Sequence, residues 1–210
     1  MKKILFLFMF SIGILFSMSN NEVLATESNN YPTDTDIKVL NQELEQLVEE
    51  VNERLAKGEK NIETSSKNLK IGFKQDELIN PYSFSQSKNL NSMAAKGSSI
   101  GSKTYQAYVA NTKGFNFRHA VHGTFSWKGN YLTAVTGDED LSGKMYSRSA
   151  TTKVQGVDGT IGRNAKIGRV TSKGTFTALK YVPISYYTTL VVDVYAPTKS
   201  YRIITAKITN

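Results

Sequence analysis

The sequence predicts a mainly β protein: an antiparallel β-sandwich or barrel, preceded by one acidic amphipathic helix and a polar linker. Two observations predict the β part. Thr188–Ile208 consists of two β-branched runs flanking a break that opens with Pro197, which is typical of an antiparallel hairpin. From Ser99 onward, apolar residues alternate with a period of two in short runs separated by turn residues. No strand–helix alternation accompanies them, so we do not expect a parallel sheet.

The first residues predict export. Lys2 and Lys3 precede an apolar run from Ile4 to Met18, and Val23 and Ala25 occupy the −3 and −1 positions of a cleavage site. The run is shorter than the ~20 residues that span a bilayer. We therefore expect residues 1–25 to be a signal peptide and the mature protein to be extracellular. The chain has no cysteine, and a secreted chain of this kind is more usual in Gram-positive bacteria.

A helix is predicted from about Asp36 to Lys57. Thr33 and Asp36 have the spacing of a capping box, and Gly58 follows the last turn. Between them an apolar stripe recurs every three or four residues: Ile37, Leu40, Leu44, Leu47 and Val51. Packing of this stripe on the β part is favoured, because it spans fewer than the 3–4 heptads of a coiled coil. Self-association through the stripe is the alternative.

Charge divides the chain into two predicted parts after the signal peptide. Residues 26–96 contain nine Lys/Arg and twelve Asp/Glu, whereas residues 97–210 contain fifteen and five. We expect 26–96 to be the acidic helix plus a linker, and 97–210 to be a basic β-sandwich domain. Within the linker, Ile71–Phe73 is a candidate short strand and Ser92–Lys96 a candidate helical turn. An acidic segment is suited to shielding a basic domain, so residues 26–96 are also a candidate pro-segment.

Nine strands are predicted in the basic part. Their bounds are Thr104–Ala110, Ala120–Trp127, Tyr131–Thr136, Lys144–Val154, Thr160–Asn164, Ile167–Thr171, Thr175–Val182, Thr188–Ala196 and Tyr201–Thr209. The marked turns between them include Lys128–Asn130, Asp158–Gly159, Ser172–Gly174 and Pro197–Ser200. In the last hairpin, one face of the first arm carries Leu190, Val192, Val194 and Ala196, and one face of the second carries Ile204, Ala206 and Ile208. Because the reverse faces are half apolar, both sides of the hairpin are expected to be covered. Trp127 is expected in the core.

No motif predicts catalysis, so we expect a non-enzymatic protein. His119 and His122 lie three apart on a predicted strand, where they point to opposite faces and cannot share a metal ion. Residues 97–101 match G-x-S-x-G, but a linker precedes the serine and a strand follows it, which is the wrong context for a nucleophile.

One acidic segment is a weak candidate calcium site. Asp138, Asp140 and Ser142, followed by Gly143, match the first half of a calcium-binding loop. The bidentate Glu expected at the twelfth position is absent, because Ser149 stands there. The alternative interpretation is an acidic hairpin loop without a ligand.

Basic residues mixed with tyrosines suggest a binding surface. The candidates are Arg148, Arg163, Lys166, Arg169, Tyr186 and Tyr187, of which the two tyrosines are expected to be exposed in a connection after Pro183. The expected partner is a cell-wall polymer, a glycan or an anionic membrane surface, with nucleic acid least favoured. A second hypothesis is a bacteriocin-like or membrane-active toxin with an acidic shielding segment. The charge is also open to a simpler interpretation, namely solubility or neutralisation by the N-terminal part.

Overall fold

The computed structural model describes residues 32–75, 99–111, 116–178 and 184–210. In these residues one helix, α1 (Asp34–Ala56), precedes ten strands that form two antiparallel sheets. The predicted fold class is confirmed: the protein is mainly β, with the helix first. The predicted signal peptide lies outside the described residues.

Sheet A has six strands. They are β1 (Asn61–Ser65), β2 (Leu69–Lys74), β3 (Ile100–Asn111), β4 (Phe117–Lys128), β5 (Tyr131–Val135) and β6 (Asp138–Gly143). The first four are neighbours in chain order, and β5 and β6 both pair with β4, each along a different part of its length. The long strands β3 and β4 pair over their whole length, so they form the centre of this sheet.

Sheet B has four strands in chain order. They are β7 (Ser147–Gly156), β8 (Ile167–Thr177), β9 (Ser185–Tyr195) and β10 (Ser200–Thr209). The hairpin predicted in Thr188–Ile208 is confirmed as β9 and β10, with a turn at Ala196–Lys199 in which Lys199 adopts a φ of 52°. β10 and β7 are the two outer strands of this sheet.

The core lies between the two sheets and contains aromatic contacts that join them. The ring of Phe73 stacks on that of Tyr201 with centroids 4.2 Å apart, and Phe117 packs against Phe176 at 5.0 Å. Trp127 is buried, as predicted. Each fully buried large apolar side chain contributes about 1.5–3 kcal/mol, so a cysteine-free chain obtains its stability from this core.

Helix α1 is part of the same compact unit as the strands, which extends over Tyr31–Asn210. It begins as predicted at a capping box, where the Asp36 N–H donates to Thr33 Oγ1 and Asp36 Oδ2 accepts the Thr33 N–H at 2.8 Å. The predicted stripe is buried, and the helix packs on β10, β1 and β2. Packing within the chain is thereby confirmed, whereas self-association stays a prediction.

The linker prediction is wrong for Asn61–Ser65 and Leu69–Lys74, which form β1 and β2, whereas the candidate short strand at Ile71–Phe73 is confirmed as part of β2. Ile62 and Thr64 alternate with exposed residues on β1, and Leu69, Ile71 and Phe73 are fully buried on β2. Apart from Thr64, the polar residues of this segment are exposed or partly exposed, which explains why its composition resembles a linker. The rest of the predicted linker, including the helical turn at Ser92–Lys96, lies outside the described residues.

One strand prediction and one turn prediction in this part of the chain are also wrong. Residues 160–164 form turns, in which Gly162 has a φ of +85° and Asn164 Oδ1 accepts the Thr160 N–H at 2.9 Å. The turn predicted at Ser172–Gly174 is the middle of one continuous strand, β8. Gly174 faces the core, where a Cβ atom would lie 2.7 Å from Thr188 Oγ1. This glycine therefore permits close packing between strands and does not mark a turn.

A β-bulge changes the predicted inward face of β10. The register with β9 shifts between Ile203 and Thr205, so one extra residue is inserted. Ile203 is consequently buried on the same side as Ala206 and Ile208, whereas Ile204 is 37% exposed. The prediction that Ile204 shares a face with Ala206 and Ile208 is wrong, because strict alternation does not allow for the extra residue.

Candidate functional surface

Sheet B turns one side to the core and the other to solvent. Along β9, Tyr186, Thr188 and Leu190 are buried, whereas Tyr187 between them is 47% exposed. Residues directly opposite each other on paired strands lie on the same side of a sheet. The register of the four strands therefore identifies all the outward residues, and we call this outward side the basic face.

The basic face presents four exposed cations: Lys153 on β7, Lys173 on β8, and Arg202 and Lys207 on β10. None of them belongs to an ion pair among the described residues. The four strands of sheet B contain a single acidic residue, Asp193. These cations are therefore available to an external anion.

Hydroxyl groups surround the cations. Three neighbouring rows of paired residues cross the four strands. The middle row consists of Thr151, Lys173, Thr189 and Lys207. On one side of it lie Lys153, Thr171, Val191 and Thr205, and on the other Ser149, Thr175, Tyr187 and Thr209. Neighbouring strands lie about 4.8 Å apart, and outward residues recur about every 6.8 Å along each strand. The basic face is thus a regular array of hydroxyl groups with ammonium groups placed among them.

Asp193 forms a two-point ion pair with Arg169. Arg169 Nε and Nη2 donate to the two carboxylate oxygens of Asp193, both at 2.7 Å, and the Asp193 side chain is only 4% exposed. These hydrogen bonds raise the pKa of Arg169. The pair removes the one negative charge of the basic face, but it also occupies the guanidinium of a predicted binding residue.

The two predicted tyrosines have different positions. Tyr187 lies on the basic face, between Thr175 and Thr209. Tyr186 is 1% exposed in the core, so the prediction that it is exposed is wrong. Both belong to β9, which begins before them, and successive strand residues point to opposite sides.

Three other predicted residues lie away from the basic face. Arg163 and Lys166 are exposed in the connection between β7 and β8, where Lys166 Nζ is 5.9 Å from the ring centroid of Tyr131. Arg148 lies at the opposite end of β7 and donates to the Gly143 carbonyl oxygen at 3.1 Å. The structure therefore brings together only Arg169 and Tyr187 of the six predicted surface residues.

Sequence reasoning missed Lys153, Lys173 and Lys207. Lys173 lies within a predicted turn, and Lys153 and Lys207 lie within predicted strands whose alternation alone indicates no binding role. The available indication was the repeated alternation of Ser, Thr and Lys on one side of each strand, as in Ser149, Thr151 and Lys153. Recognising a joint surface required the register between strands, which the sequence does not supply.

The acidic candidate segment is a strand. Asp138, Asp140 and Ser142 belong to β6 and pair with β4, so the loop interpretation is wrong. Asp140 Oδ2 accepts from Arg118 Nη1 at 3.0 Å, and Asp138 Oδ1 accepts the Glu139 N–H at 2.9 Å. In the part of the chain that the structure describes, no three His, Asp or Glu side chains cluster closely enough to hold a metal ion.

The two histidines lie on opposite sides of β4, as predicted. His119 is fully buried between the sheets, where Nε2 lies 2.8 Å from Ser172 Oγ and Nδ1 lies 2.7 Å from Thr188 Oγ1. Thr152 Oγ1 donates to Ser172 Oγ at 2.9 Å, which extends the network to β7. Burial lowers the pKa of His119 to about 4. This histidine therefore joins the sheets as a neutral side chain.

The fold and surface define a class: a two-sheet antiparallel β protein with an N-terminal helix and one basic, hydroxyl-rich face. Comparisons with protein-family models, curated proteins and solved structures find no match. In the described residues, no helix has both the length and the apolar character required to cross a membrane.

Proposed function

We propose that this chain is a non-enzymatic binding protein of the cell envelope, and that its basic face holds a polyanionic or glycan surface. The observation that carries the proposal is a set of four exposed cations that form no ion pair with any described residue, within an array of hydroxyl groups: Lys153, Lys173, Arg202 and Lys207. The sole carboxylate of these strands is already paired with Arg169.

The shape and chemistry of the basic face suit an extended polymer. A sheet surface offers a broad array of contacts, whereas a small ligand generally needs a cleft. Lysine supplies point charges on flexible stems, and hydroxyl groups both donate and accept hydrogen bonds. Each contact to an exposed charge is weak, but several contacts to one polymer act together.

The cellular location in this proposal rests on the predicted signal peptide. Export would place the chain where wall polymers, glycans and anionic lipid headgroups are accessible. Among these partners we favour a wall polymer, because a repeating anion matches cations that recur across several strands.

The proposal is tested by binding to purified Gram-positive cell walls and to anionic liposomes at low and high salt. A variant with Lys153→Gln, Lys173→Gln and Lys207→Gln should bind roughly tenfold more weakly, since each exposed charge contact contributes about 0.2–1 kcal/mol. The matched control changes three exposed lysines outside the basic face to Gln: Lys67, Lys128 and Lys144. Equal loss in both variants, or no binding at any salt, would overturn the proposal.

The alternative, a membrane-active toxin shielded by residues 26–96, makes a different prediction. It requires liposome leakage that begins when this segment is removed. The buried stripe of α1 and the buried residues of β2 favour the first proposal, because such side chains belong to the core. Including double-stranded DNA in the same binding assay tests the least favoured partner.

A further inference from the structure

A cleft of about 450 Å³ lies on the outward side of sheet A, the opposite side of the sandwich from the basic face. Its walls include polar side chains from four neighbouring strands: Lys74, Thr104, Gln106, His122, Thr124 and Asp140. Ligand clefts typically have volumes of about 300–1,000 Å³. A small polar molecule therefore fits this one.

The charged and polar side chains of the cleft are ordered across the strands of sheet A. Lys74 on β2 pairs with Gln106 on β3, which in turn pairs with His122 on β4. Asp140 lies beyond them on β6, one outward position further along. The cleft thus has an ammonium group at one end, a carboxylate at the other, and an amide and an imidazole between them.

The imidazole of His122 lacks one hydrogen bond. Its Nδ1 is buried and has no partner among the described residues. Buried polar atoms are rarely left in this state. Because His122 lines the cleft, a ligand there can supply the missing bond, either directly or after a half-turn of the ring, whose terminal torsion is roughly two-fold.

Asp140 retains acceptor capacity. Its Oδ2 accepts from Arg118, but its other oxygen makes no hydrogen bond among the described residues. An ionised carboxylate has about four acceptor positions on its two oxygens. The ion pair with Arg118 therefore fixes the side chain and still leaves room for a ligand donor.

We propose that this cleft binds a short peptide with free termini, its carboxylate toward Lys74 and its ammonium toward Asp140. Three strand spacings separate β2 from β6, a backbone span of about 14 Å. Part of this span is covered by the lysine stem, and an extended peptide adds about 3.3–3.6 Å per residue. A di- or tripeptide matches the remainder. The inference is independent of the proposed function of the basic face.

Peptide binding to the cleft can be followed by NMR through His122. The chain has only two histidines and the other is buried, so the imidazole carbon-bound protons of His122 give a separate NMR signal. Trialanine with free termini should shift that signal in a saturable way. Blocking either terminus, by N-acetylation or C-amidation, should weaken binding roughly two- to fivefold, because each block removes one exposed charge contact. No shift with any peptide, or equal binding by the doubly blocked peptide, would overturn the proposal.

Matched variants assign each end. Lys74→Gln should abolish the preference for a free carboxylate, whereas Lys70→Gln, on the same side of β2 but four residues away, should not. Asp140→Asn should abolish the preference for a free ammonium, whereas Glu139→Gln, on the other side of β6, should leave it intact. Circular dichroism melting curves establish that each variant is folded. A control variant that acts like its partner would contradict the assignment.

Discussion

Asn52 on α1 completes the backbone hydrogen bonding of Ile203 on the free edge of β10. Its Nδ2 donates to the Ile203 carbonyl oxygen at 2.7 Å, and its Oδ1 accepts the Ile203 N–H at 3.0 Å. Asn41 does the same for Ile208, with both distances 2.8 Å. Two side-chain amides thus take the place of a neighbouring strand, and they protect an edge that could otherwise pair with another chain.

The spacing of the two asparagines matches that of their partners. From Asn41 to Asn52 the helix rises about 16–17 Å at 1.5 Å per residue. From Ile203 to Ile208 the strand extends over about the same distance at roughly 3.3 Å per residue. The bulge after Ile203 is needed as well. In a regular strand, two residues an odd number of positions apart point their backbone N–H and C=O groups to opposite edges. The extra residue of the bulge corrects this, so that the backbone groups of both Ile203 and Ile208 face the helix.

We predict that Asn52→Ala and Asn41→Ala each destabilise the protein by about 1–3 kcal/mol, because each leaves a partly buried N–H and C=O without partners. Urea unfolding measures the change. Gln46→Ala, on the exposed side of the same helix, is the control and should have little effect. Size-exclusion chromatography of the double variant should reveal oligomers that form through β10. Asparagine variants as stable as the control would show that water satisfies this edge equally well.

The buried histidine predicts a loss of stability at acidic pH. Burial lowers the pKa of His119 to about 4 in the folded state, whereas an unfolded chain has a pKa near 6.5. As pH falls, His119 therefore becomes protonated in the unfolded state at a higher pH than in the folded state. The stabilising contribution is complete above about pH 6.5 and is lost as pH falls toward 4, by about 3 kcal/mol in total.

Urea unfolding of His119→Gln across the same pH range isolates this contribution. The amide of Gln can bond both Ser172 and Thr188 but does not titrate, so the variant should lose less stability between about pH 7 and pH 4. Gln46→Ala, on the exposed side of α1, is the control and should retain the pH dependence of the wild type. Identical pH profiles for His119→Gln and the wild type would contradict the prediction.

Features that depend on local pattern could be predicted from the sequence. The stripe from Ile37 to Val51 and the inward face from Leu190 to Val194 follow directly from helical and strand periodicity. The capping box at Thr33 and the buried Trp127 were also correct. In each case, burial and local geometry act on the same residues, so the pattern and the structure agree.

Features set by contacts between distant segments could not be predicted. Gly174 resembles a turn residue, but it is required by the close approach of Thr188, and Ser172 beside it is a partner of His119. The bulge in β10 and the alignment of Lys173 with Lys207 across two intervening pairings likewise depend on register. Composition therefore locates the excess positive charge in residues 97–210, but only the register between strands shows which of these cations share one face.

Breaking the pair of Arg169 and Asp193 should destabilise the protein. Arg169→Met leaves the carboxylate of Asp193 enclosed without its two donors. A fully buried pair that is broken costs about 3–5 kcal/mol; because the Arg169 side chain is 33% exposed, we expect about 2–3 kcal/mol here. Replacing both residues, with Arg169→Met and Asp193→Val, should recover part of the loss. A single variant as stable as the wild type, measured by urea unfolding, would show that water reaches the carboxylate.

Removal of residues 26–96 should unfold the β-sheets. The helix and β1–β2 contribute nine buried apolar side chains: Ile37, Leu40, Leu44, Leu47, Val51, Ile62, Leu69, Ile71 and Phe73. At about 1.5–3 kcal/mol each, their loss amounts to about 14–27 kcal/mol, which reaches or exceeds the 5–15 kcal/mol by which domains are typically stable. It also opens the edges of β3 and β10. A chain that begins at Gly97 should therefore show no cooperative unfolding transition by circular dichroism, whereas a chain that begins at Thr26 should. A cooperative transition in the shorter chain would instead support the interpretation of residues 26–96 as a removable pro-segment.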